Sequence, residues 1–295
     1  MQEIAAGRIL VCDGAMGTEL VLSGLAHGEC GEAWNLSHAD QVLAIQRRYV
    51  EAGADCLITN TFGANRIILA RQGLEKELLA INRAGAEIAR RAFGAKPGFV
   101  LGDMGPLGAL LEPYGELSAE KATAALEEQA AALVGSGVDA VIIETQTALE
   151  ELGLAIDAAK KAGAPCVIAS LAYDLMQDTT SYRTMMGVSP EQAAKFIGER
   201  GADIVALNCG TGMDMQGAAR VARIYGSSCS LPVMVQPNAG RPVMENNRAV
   251  YRQGPADMGR DVPAALEAGV AILGSCCGST PEHTREIRRR VDLFR

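Results

Sequence analysis

The stretch ILVCD, residues 9–13, is a short apolar run that ends on a carboxylate. Residues 39–52, ADQVLAIQRRYVEA, follow with apolar side chains at helical spacing, so the two segments predict a strand and then a helix. The same order recurs along the chain, with further strands predicted over residues 56–60, 99–103, 140–144, 166–171, 204–209, 233–237 and 270–276. Eight such units predict an α/β fold, a single (β/α)8 TIM barrel.

Helix signals fill the gaps between the predicted strands. Helices are predicted over residues 118–134, 149–162, 190–200 and 281–291, with N-caps at Ser118, Ser189 and Thr280. The strands are almost continuously apolar, as expected of parallel strands buried on both faces. A doubly wound open sheet is the alternative fold. The 295 residues carry no low-complexity linker, which favours one domain over residues 1–295.

Composition argues against several functional classes. The formal net charge of −8 and the mixing of acidic with basic residues argue against a nucleic-acid partner. No apolar run has the length of a membrane helix, and the N-terminal sequence MQEIAAGRILVCDG lacks the pattern of an export signal. We therefore expect a cytoplasmic protein with no membrane partner, in which the eight cysteines are reduced.

Polar residues stand at or just after the ends of the predicted strands, namely Asp13, Asn60, Asp103, Glu144, Cys209, Asn238 and Cys276. In a barrel these positions share the carboxyl rim, where the catalytic groups of such folds lie. Any single Asp or Asn among them is as readily a helix cap or a turn residue. Glycines follow the same positions, but no phosphate-binding or dinucleotide-binding fingerprint occurs, so a nucleotide site is not indicated.

Three cysteines are candidate metal ligands. Cys276 and Cys277 end the eighth predicted strand and Cys209 ends the sixth, so a barrel allows the three thiols to converge over its rim. Thiolates suit the soft, tetrahedral preference of zinc, and three protein ligands leave a fourth position open for a substrate. Burial as small apolar residues, or a vicinal disulfide, would explain the adjacent cysteines without a metal.

The other five cysteines give weaker signals. Cys12, Cys56 and Cys166 lie inside apolar strands and are predicted to be core residues. Cys30 and Cys229 fall in loops, and no role is assigned to them.

The three histidines are His27, His38 and His283, and no two of them have the spacing of a metal site. His283 lies in the first turn of the last predicted helix, close to the two adjacent cysteines. We expect it to be a hydrogen-bonded neighbour of the site or a surface group, and not a ligand.

Five segments together resemble the homocysteine S-methyltransferase family: DGAMGTEL, GADCLITNTFGANR, GDMGPLG, NCG and GSCCGSTPEH. They extend from Asp13 to His283, and NCG followed by GxCCGxxPEH is the most specific of them. DGAMGT, the EAWNL of residues 32–36 and TNTFGANR are more similar to the homocysteine module of cobalamin-dependent methionine synthase than to the betaine or S-methylmethionine enzymes.

The resemblance implies a (β/α)8 barrel with one catalytic zinc ion per chain, whose ligands would be Cys209, Cys276 and Cys277. The homocysteine sulfur would complete the site. The resemblance also implies that Glu144 and Asp13 help to hold the amino acid, with backbone amides around Gly14 and Ala15 near its carboxylate. Asn238 looks like the family residue that lies close to the metal when substrate is absent.

Two segments depart from the family pattern. Many relatives carry an Asp soon after the Glu-Thr that ends strand four, but here residues 144–149 read ETQTAL. Residues 173–187, YDLMQDTTSYRTMMG, are rich in methionine and hydroxyl side chains, and only Arg183, Thr184 and Gly187 look typical. Such departures bear on the preference for the methyl acceptor or donor.

The implied activity is zinc-dependent methylation of homocysteine to methionine by direct displacement at the methyl carbon. Because one barrel uses nearly all 295 residues, we expect an external donor. The methionine-synthase-like motifs favour a methyl-corrinoid, either free methylcobalamin or one carried by a separate corrinoid protein. The alternatives are a sulfonium donor such as S-methylmethionine or S-adenosylmethionine, another thiol or selenol acceptor, and a non-catalytic zinc-thiolate protein.

Overall fold

The computed structural model describes residues 1–245 and 248–294, with residues 245, 248 and 249 described by their backbone only. Within this part, eight strands form one parallel sheet: β1 (Leu10–Val11), β2 (Cys56–Ile58), β3 (Phe99–Met104), β4 (Ala140–Gln146), β5 (Val167–Leu171), β8 (Ile204–Asn208), β9 (Val233–Gln236) and β12 (Val270–Leu273). Their order in the sheet is β1-β12-β9-β8-β5-β4-β3-β2. Every predicted strand is therefore present, with limits that differ by a few residues.

The sheet closes on itself. Leu10 of β1 pairs with Ile272 of β12 at one end of the strand order. A parallel bridge between Cys12 and Cys56 joins the first strand to β2, which stands at the other end. The predicted TIM barrel is thus confirmed, and the open doubly wound alternative is wrong because an open sheet would leave β1 and β2 as unpaired edges.

Helices surround the barrel. They are α1 (Gln2–Ala5), α2 (Met16–Leu22), α3 (Trp34–Ser37), α4 (Ala39–Ala52), α5 (Arg66–Ala70), α6 (Leu78–Phe93), α7 (Ala119–Gly135), α8 (Leu149–Lys161), α9 (Pro190–Arg200), α10 (Met215–Ser228), α11 (Pro255–Glu267) and α12 (Pro281–Leu293). Ser118 caps α7, since its hydroxyl accepts a hydrogen bond from the Lys121 amide, and Ser189 caps α9 in the same way through Gln192. The predicted cap Thr280 directly precedes α12.

Two antiparallel hairpins lie in the loops at the carboxyl end of the barrel. β6 (Asp174–Leu175) pairs with β7 (Tyr182–Arg183) after β5, and β10 (Val243–Glu245) pairs with β11 (Arg248–Val250) after β9. Neither segment was predicted to contain a strand. Both hairpins enlarge the rim on which the candidate site stands.

The core has two layers. Side chains that point outward from the sheet pack against the helices, and side chains that point inward fill the amino-terminal half of the barrel. Cys12, Cys56 and Cys166 belong to the inner layer and are buried, which confirms the prediction that they are core residues. Ile4 of α1 packs against that layer. Among the described residues, no helix combines the length and the apolar character that crossing a membrane requires.

Candidate active site at the carboxyl end of the barrel

Alternate side chains of each strand point into the barrel. The residue two positions after a member of the inner layer therefore also points inward, but closer to the carboxyl end. Leu101, Ile142, Ile168, Ala206 and Met234 belong to the inner apolar layer. Two residues further along the same strands, and therefore on the same face, come Asp103, Glu144, Ser170, Asn208 and Gln236. The apolar interior thus gives way to a polar floor at the carboxyl end, directly below the loops.

Three thiols converge above this floor, as the sequence analysis predicted. The Sγ atoms of Cys209 and Cys277 are 3.7 Å apart, and those of Cys276 and Cys277 are 3.9 Å apart. All three sulfurs lie within 4.8 Å of one another, and they form the one group of potential metal ligands found among the described residues. The cysteines are free, so no vicinal disulfide joins Cys276 to Cys277.

Unusual backbone conformations direct these thiols. Cys209 has a φ of 53°, in the left-handed region that a residue with a Cβ rarely adopts. The next residue must be glycine, because a Cβ at Gly210 would lie 1.8 Å from the carbonyl oxygen of Tyr173. Non-glycine residues in such conformations cluster at functional sites, where the surrounding structure holds them.

Hydrogen bonds fix the backbone beside the cluster. The Cys276 amide donates to the carbonyl of Pro237 at 2.7 Å, and the carbonyl of Cys277 accepts from the Ala239 amide at 3.0 Å. The ring of Tyr251 packs against Gly278, where a Cβ would lie 2.2 Å from the tyrosine Cβ. The segment after β9 therefore supports both adjacent cysteines, and Tyr251 is a neighbour of the site that the sequence analysis did not identify.

The cluster has the chemistry of a soft-metal site. Hydrogen bonds from Cys276 and Cys277 lower the pKa of the Cys209 thiol to about 3, while donation to Cys209 raises the pKa of Cys276. In the metal-free protein, one thiolate is thus held by two thiols. Three sulfur donors at this separation fit a tetrahedral ion such as zinc, which would displace the remaining protons.

Asn238 lies beside the same cluster. Its side-chain amide donates to the carbonyl of Gly210 at 3.1 Å and contributes to the low pKa of Cys209. The residue is 1% exposed, yet its Oδ1 atom has no hydrogen-bond partner among the residues that the structure describes. A buried amide oxygen without a donor is a suitable neighbour for a cation, and the role of Asn238 close to a metal stays a prediction.

Glu144 ends the interior face of β4. Its Oε1 accepts a hydrogen bond of 3.3 Å from Nε2 of Gln236, which belongs to β9. Burial is the main cause that raises the pKa of Glu144 to about 7, and the nearby Cys209 adds to the effect. The positive charge of an ammonium group bound nearby would lower this pKa and favour the ionised carboxylate.

The residues after β1 occupy a crowded corner. Asp13 is 2% exposed, and its two oxygens accept from the Ile58 amide at 2.9 Å and from the Cys12 thiol at 3.4 Å. Burial raises its pKa to about 8. A Cβ at Gly14 would lie 2.7 Å from the hydroxyl of Ser279, and the Ala15 amide donates to that same hydroxyl at 3.1 Å. The Ala15 amide predicted to face a substrate carboxylate therefore has a protein partner here.

Asp103 and Asn60, the other polar strand-end residues, have different environments. Asn60 donates to the carbonyl of Gly31 at 2.8 Å and to Oδ1 of Asn35 at 3.1 Å, so it has a structural role in the first loop. Asp103 is 3% exposed, and within the described part of the chain its Oδ1 has no hydrogen-bond partner. Burial, followed by the charge of Glu144, raises the pKa of Asp103 well above its usual value. Asp103 was not among the predicted substrate residues.

The ring nitrogens of His283 bind the protein backbone and not the three clustered thiols. Its Nδ1 accepts from the Thr280 amide at 3.1 Å, and its Nε2 donates to the carbonyl of Gln253 at 2.9 Å. His283 is therefore a buried, hydrogen-bonded residue that connects α12 to the segment after β9. This matches the first of the two interpretations given for it from the sequence, a hydrogen-bonded residue and not a surface group. Cys30 and Cys229 lie outside the cluster.

By its fold and its site, the protein is a TIM barrel with three cysteine thiols at the carboxyl rim. Residues 10–291 match the family described as homocysteine S-methyltransferase. The chain belongs to the homocysteine S-methyltransferase family. The predicted resemblance is thereby confirmed, and with it the general class of enzyme, a methyltransferase.

Two curated relatives and one solved structure illustrate the likeness. Methionine synthase from Mycobacterium leprae (strain TN) and methionine synthase from Mycobacterium tuberculosis (strain ATCC 25618 / H37Rv) are each 31% identical over 301 residues. Each match covers 98% of this chain but 25% of the relative, so the chain spans about a quarter of their length. The homocysteine methyltransferase MmuM from Escherichia coli is 21% identical, with 96% of both chains covered and TM-scores of 0.78 for its oxidized form and 0.77 for its metallated form. This last likeness supports the fold.

Proposed function

We propose that this protein is a zinc-dependent homocysteine S-methyltransferase that forms methionine with an external methyl donor, and that residues 1–295 are one homocysteine-binding barrel. The observation that carries the proposal is the convergence of three thiols within 4.8 Å at the rim of a barrel of this family. Cys209, Cys276 and Cys277 would hold the zinc. When bound, zinc would supply the positive charge that keeps an entering thiol ionised at neutral pH.

The protein's own residues would then orient the substrate. The carboxyl of Glu144, which accepts a hydrogen bond from Gln236, would accept another from the homocysteine ammonium. Asp13 would support the same end of the substrate, and the backbone around Gly14 and Ala15 its carboxylate. Methyl transfer requires alignment more than proton transfer, because one C–S bond forms as the bond between the methyl group and the donor breaks. The electron pair leaves with the donor, and the thiol proton passes to solvent.

The donor favoured by this proposal is a methyl-corrinoid. The relatives named above are methionine synthases, and the chain matches about a quarter of their length, which fits a module that works with other parts. The rim also carries exposed apolar side chains. Large hydrophobic side chains are exposed in the loops that follow β2, β3, β5 and β9, namely Phe62, Leu110, Tyr114, Met176, Met185, Met186, Val243 and Met244.

An apolar rim suits a bulky donor or its carrier. Exposed apolar surface concentrated around one site is typical of an interaction surface, and methionine side chains adapt to the shape of a partner. We propose that a separate corrinoid protein, or free methylcobalamin, contacts this rim. The free state of the eight cysteines fits a reducing compartment, and we propose a cytoplasmic location.

The test is methionine formation from homocysteine by the zinc-loaded protein, with methylcobalamin, methyl-folate, S-methylmethionine, S-adenosylmethionine and betaine supplied in turn. We expect turnover with methylcobalamin and about one zinc ion per chain, lost together with activity in Cys209→Ala and Cys277→Ala. Cys229→Ser is the matched control, because this cysteine lies outside the cluster.

The outcomes separate the alternatives. Turnover with a sulfonium donor and none with methylcobalamin would reject the corrinoid and leave the metal site standing. Tight zinc binding without turnover, and without proton release when homocysteine is added, would indicate a zinc-binding protein. Stoichiometric zinc in a variant that lacks all three clustered cysteines would show that the ligand assignment is wrong.

A further inference from the structure

One irregularity in the sheet directs Glu144. Along β4, Ile143 pairs with Ala169 of β5 and Gln146 pairs with Leu171, so three steps on β4 match two on β5. The inserted residue makes a β-bulge at Glu144 and Thr145, and bulges beside active sites re-aim side chains. Thr145 has a φ of 60°, a strained conformation for a β-branched residue. Something in the surrounding structure must hold it.

Asn208 holds the bulge from β8. Its side chain is fully buried, and its Oδ1 accepts hydrogen bonds from the Thr145 amide at 3.1 Å and from the Ser170 hydroxyl at 2.8 Å. Its Nδ2 donates to the Thr145 hydroxyl at 2.8 Å. Asn208 therefore binds both the backbone and the side chain of the strained residue, which is the pattern expected of a group that fixes a bulge.

These contacts also determine which end of the amide faces the thiols. A backbone N–H can only donate, so the atom that faces the Thr145 amide is the oxygen of Asn208. The NH2 group must then occupy the other side, where it lies 3.9 Å from Sγ of Cys276. Through this contact the amide of Asn208 touches the Cys276 sulfur on the side that faces β8.

We infer that Asn208 is a positioning residue that couples the two halves of the site: it fixes the bulge that directs Glu144 toward the substrate, and its NH2 group donates to the sulfur of Cys276. The inference rests on the proposed function for the role of Glu144, but the contact with Cys276 belongs to the metal site alone. A single buried amide would thereby influence both the geometry of ammonium binding and the position of one ligand sulfur.

Two substitutions at Asn208 separate these roles. Asn208→Ala removes every contact of the amide. Asn208→Asp retains an oxygen for the Thr145 amide and for the Thr145 hydroxyl, but it replaces the N–H donor beside Cys276 with an oxygen. Asn82→Ala is the matched control, because Asn82 is also fully buried and its amide donates to the carbonyls of Ala64 and Leu78, in a different network.

The first readout is the thiolate-to-metal charge-transfer band of the cobalt(II)-substituted protein, recorded without homocysteine or donor. We expect the band to shift in both Asn208→Ala and Asn208→Asp, because both lack the N–H donor to Cys276, and to stay unchanged in Asn82→Ala. An unchanged band in both Asn208 variants would overturn the contact with Cys276. This result does not depend on methyl transfer, so it is distinct from a failure of the proposed function.

The second readout is homocysteine affinity of the zinc-loaded protein by calorimetry. We expect about tenfold weaker binding in Asn208→Ala and a smaller loss in Asn208→Asp, which still holds the bulge. Glycine adopts a φ of 60° without strain, so Thr145→Gly should restore part of the affinity when combined with Asn208→Ala. Equal losses in Asn208→Ala and Asn82→Ala, or fully additive effects of Asn208→Ala and Thr145→Gly, would overturn the positioning role.

Discussion

The side chains of Glu144 and Gln236 meet across the barrel, where Nε2 of Gln236 donates to Oε1 of Glu144 at 3.3 Å although the two residues are 92 positions apart in the sequence. β4 and β9 are not neighbours in the sheet, so only closure of the barrel brings these side chains together. Among the residues that the structure describes, no group donates a hydrogen bond to the second carboxylate oxygen of Glu144. We propose the ammonium group of homocysteine as its donor.

Glu144→Gln should weaken homocysteine binding by roughly 10- to 100-fold, because a hydrogen bond between two charged groups is replaced by a weaker neutral one. Zinc content should not change, since Glu144 is not part of the ligand cluster. Calorimetry of the zinc-loaded protein measures the first quantity and metal analysis the second.

Glu151→Gln is the matched control for this substitution. Burial also raises the pKa of Glu151, but its carboxylate accepts from the Leu107 amide and so has a structural partner. Homocysteine affinity that falls equally in the two variants would contradict a direct contact between Glu144 and the substrate.

Asp13 should make the stability of the metal-free protein depend on pH. Burial raises its pKa from 3.8 to about 8 in the folded state, so between these values the folded protein binds more protons than the unfolded chain. The contribution of Asp13 is therefore most favourable below pH 4 and declines as the pH rises to about 8. In Asp13→Asn this decline should disappear.

Urea unfolding of both proteins at several pH values measures this effect. The free energy of unfolding of the wild type, minus that of Asp13→Asn, should fall steadily from pH 5 to pH 8, in the sense opposite to that of a carboxylate held in an ion pair. A difference that is constant with pH would show that Asp13 has the same pKa in the folded and unfolded states.

Asp103 should contribute to recognition of the ammonium group, because its buried carboxyl has an oxygen without a partner while both oxygens of Asp13 accept hydrogen bonds within the protein. Asp103→Asn should therefore weaken homocysteine binding by about tenfold. The same substitution should have little effect on the binding of 4-sulfanylbutanoate, which has the thiol and carboxylate of homocysteine but no amino group.

The comparison of these two ligands is the decisive measurement. If wild type and Asp103→Asn discriminate homocysteine from 4-sulfanylbutanoate by the same factor, then Asp103 does not contact the ammonium. In that case the carboxyl group of Asp103 would be part of the polar floor without a role in recognising the ammonium group.

Much of the barrel and of the metal site followed from local sequence patterns. Apolar runs separated by helical segments predicted every strand of the closed sheet, and the cysteines at strand ends predicted the thiol cluster. These patterns succeed because parallel strands place their carboxyl ends on one rim whatever the distance in sequence. The metal and substrate roles of the individual residues stay predictions.

The floor of the site was harder to predict. Asn208 and Gln236 are neutral amides within apolar strands, and nothing in their local sequence distinguishes a side chain that faces the barrel axis from one that faces a helix. The direction follows from Ala206 and Met234, two residues earlier, once those are known to be in the inner layer. The bulge at Thr145 was not predictable either, because it depends on the register between β4 and β5.

The apolar rim gives a prediction that separates a free corrinoid from one carried by a protein. Met185 is 71% exposed and Met244 is 68% exposed, and they lie in the loops after β5 and β9, outside the floor and the thiol cluster. Replacing both with Lys leaves the buried site intact but puts charge on the proposed contact surface, where loss of apolar area and an unpaired charge both oppose docking.

With free methylcobalamin, which needs only the mouth of the barrel, the double variant should keep turnover within about twofold of wild type, because surface substitutions outside such contacts change little. With a methyl-corrinoid bound to its carrier protein, the KM for the carrier should rise about tenfold or more while homocysteine affinity stays constant. Leu293→Lys is the control, since Leu293 is 68% exposed at the C-terminal end of α12, and a helix that follows a barrel strand ends at the face opposite the carboxyl-end loops. Equal turnover of the double variant and wild type with the carrier would show that these loops do not dock it, and an equal loss with both corrinoid sources would place Met185 and Met244 in contact with the corrinoid itself.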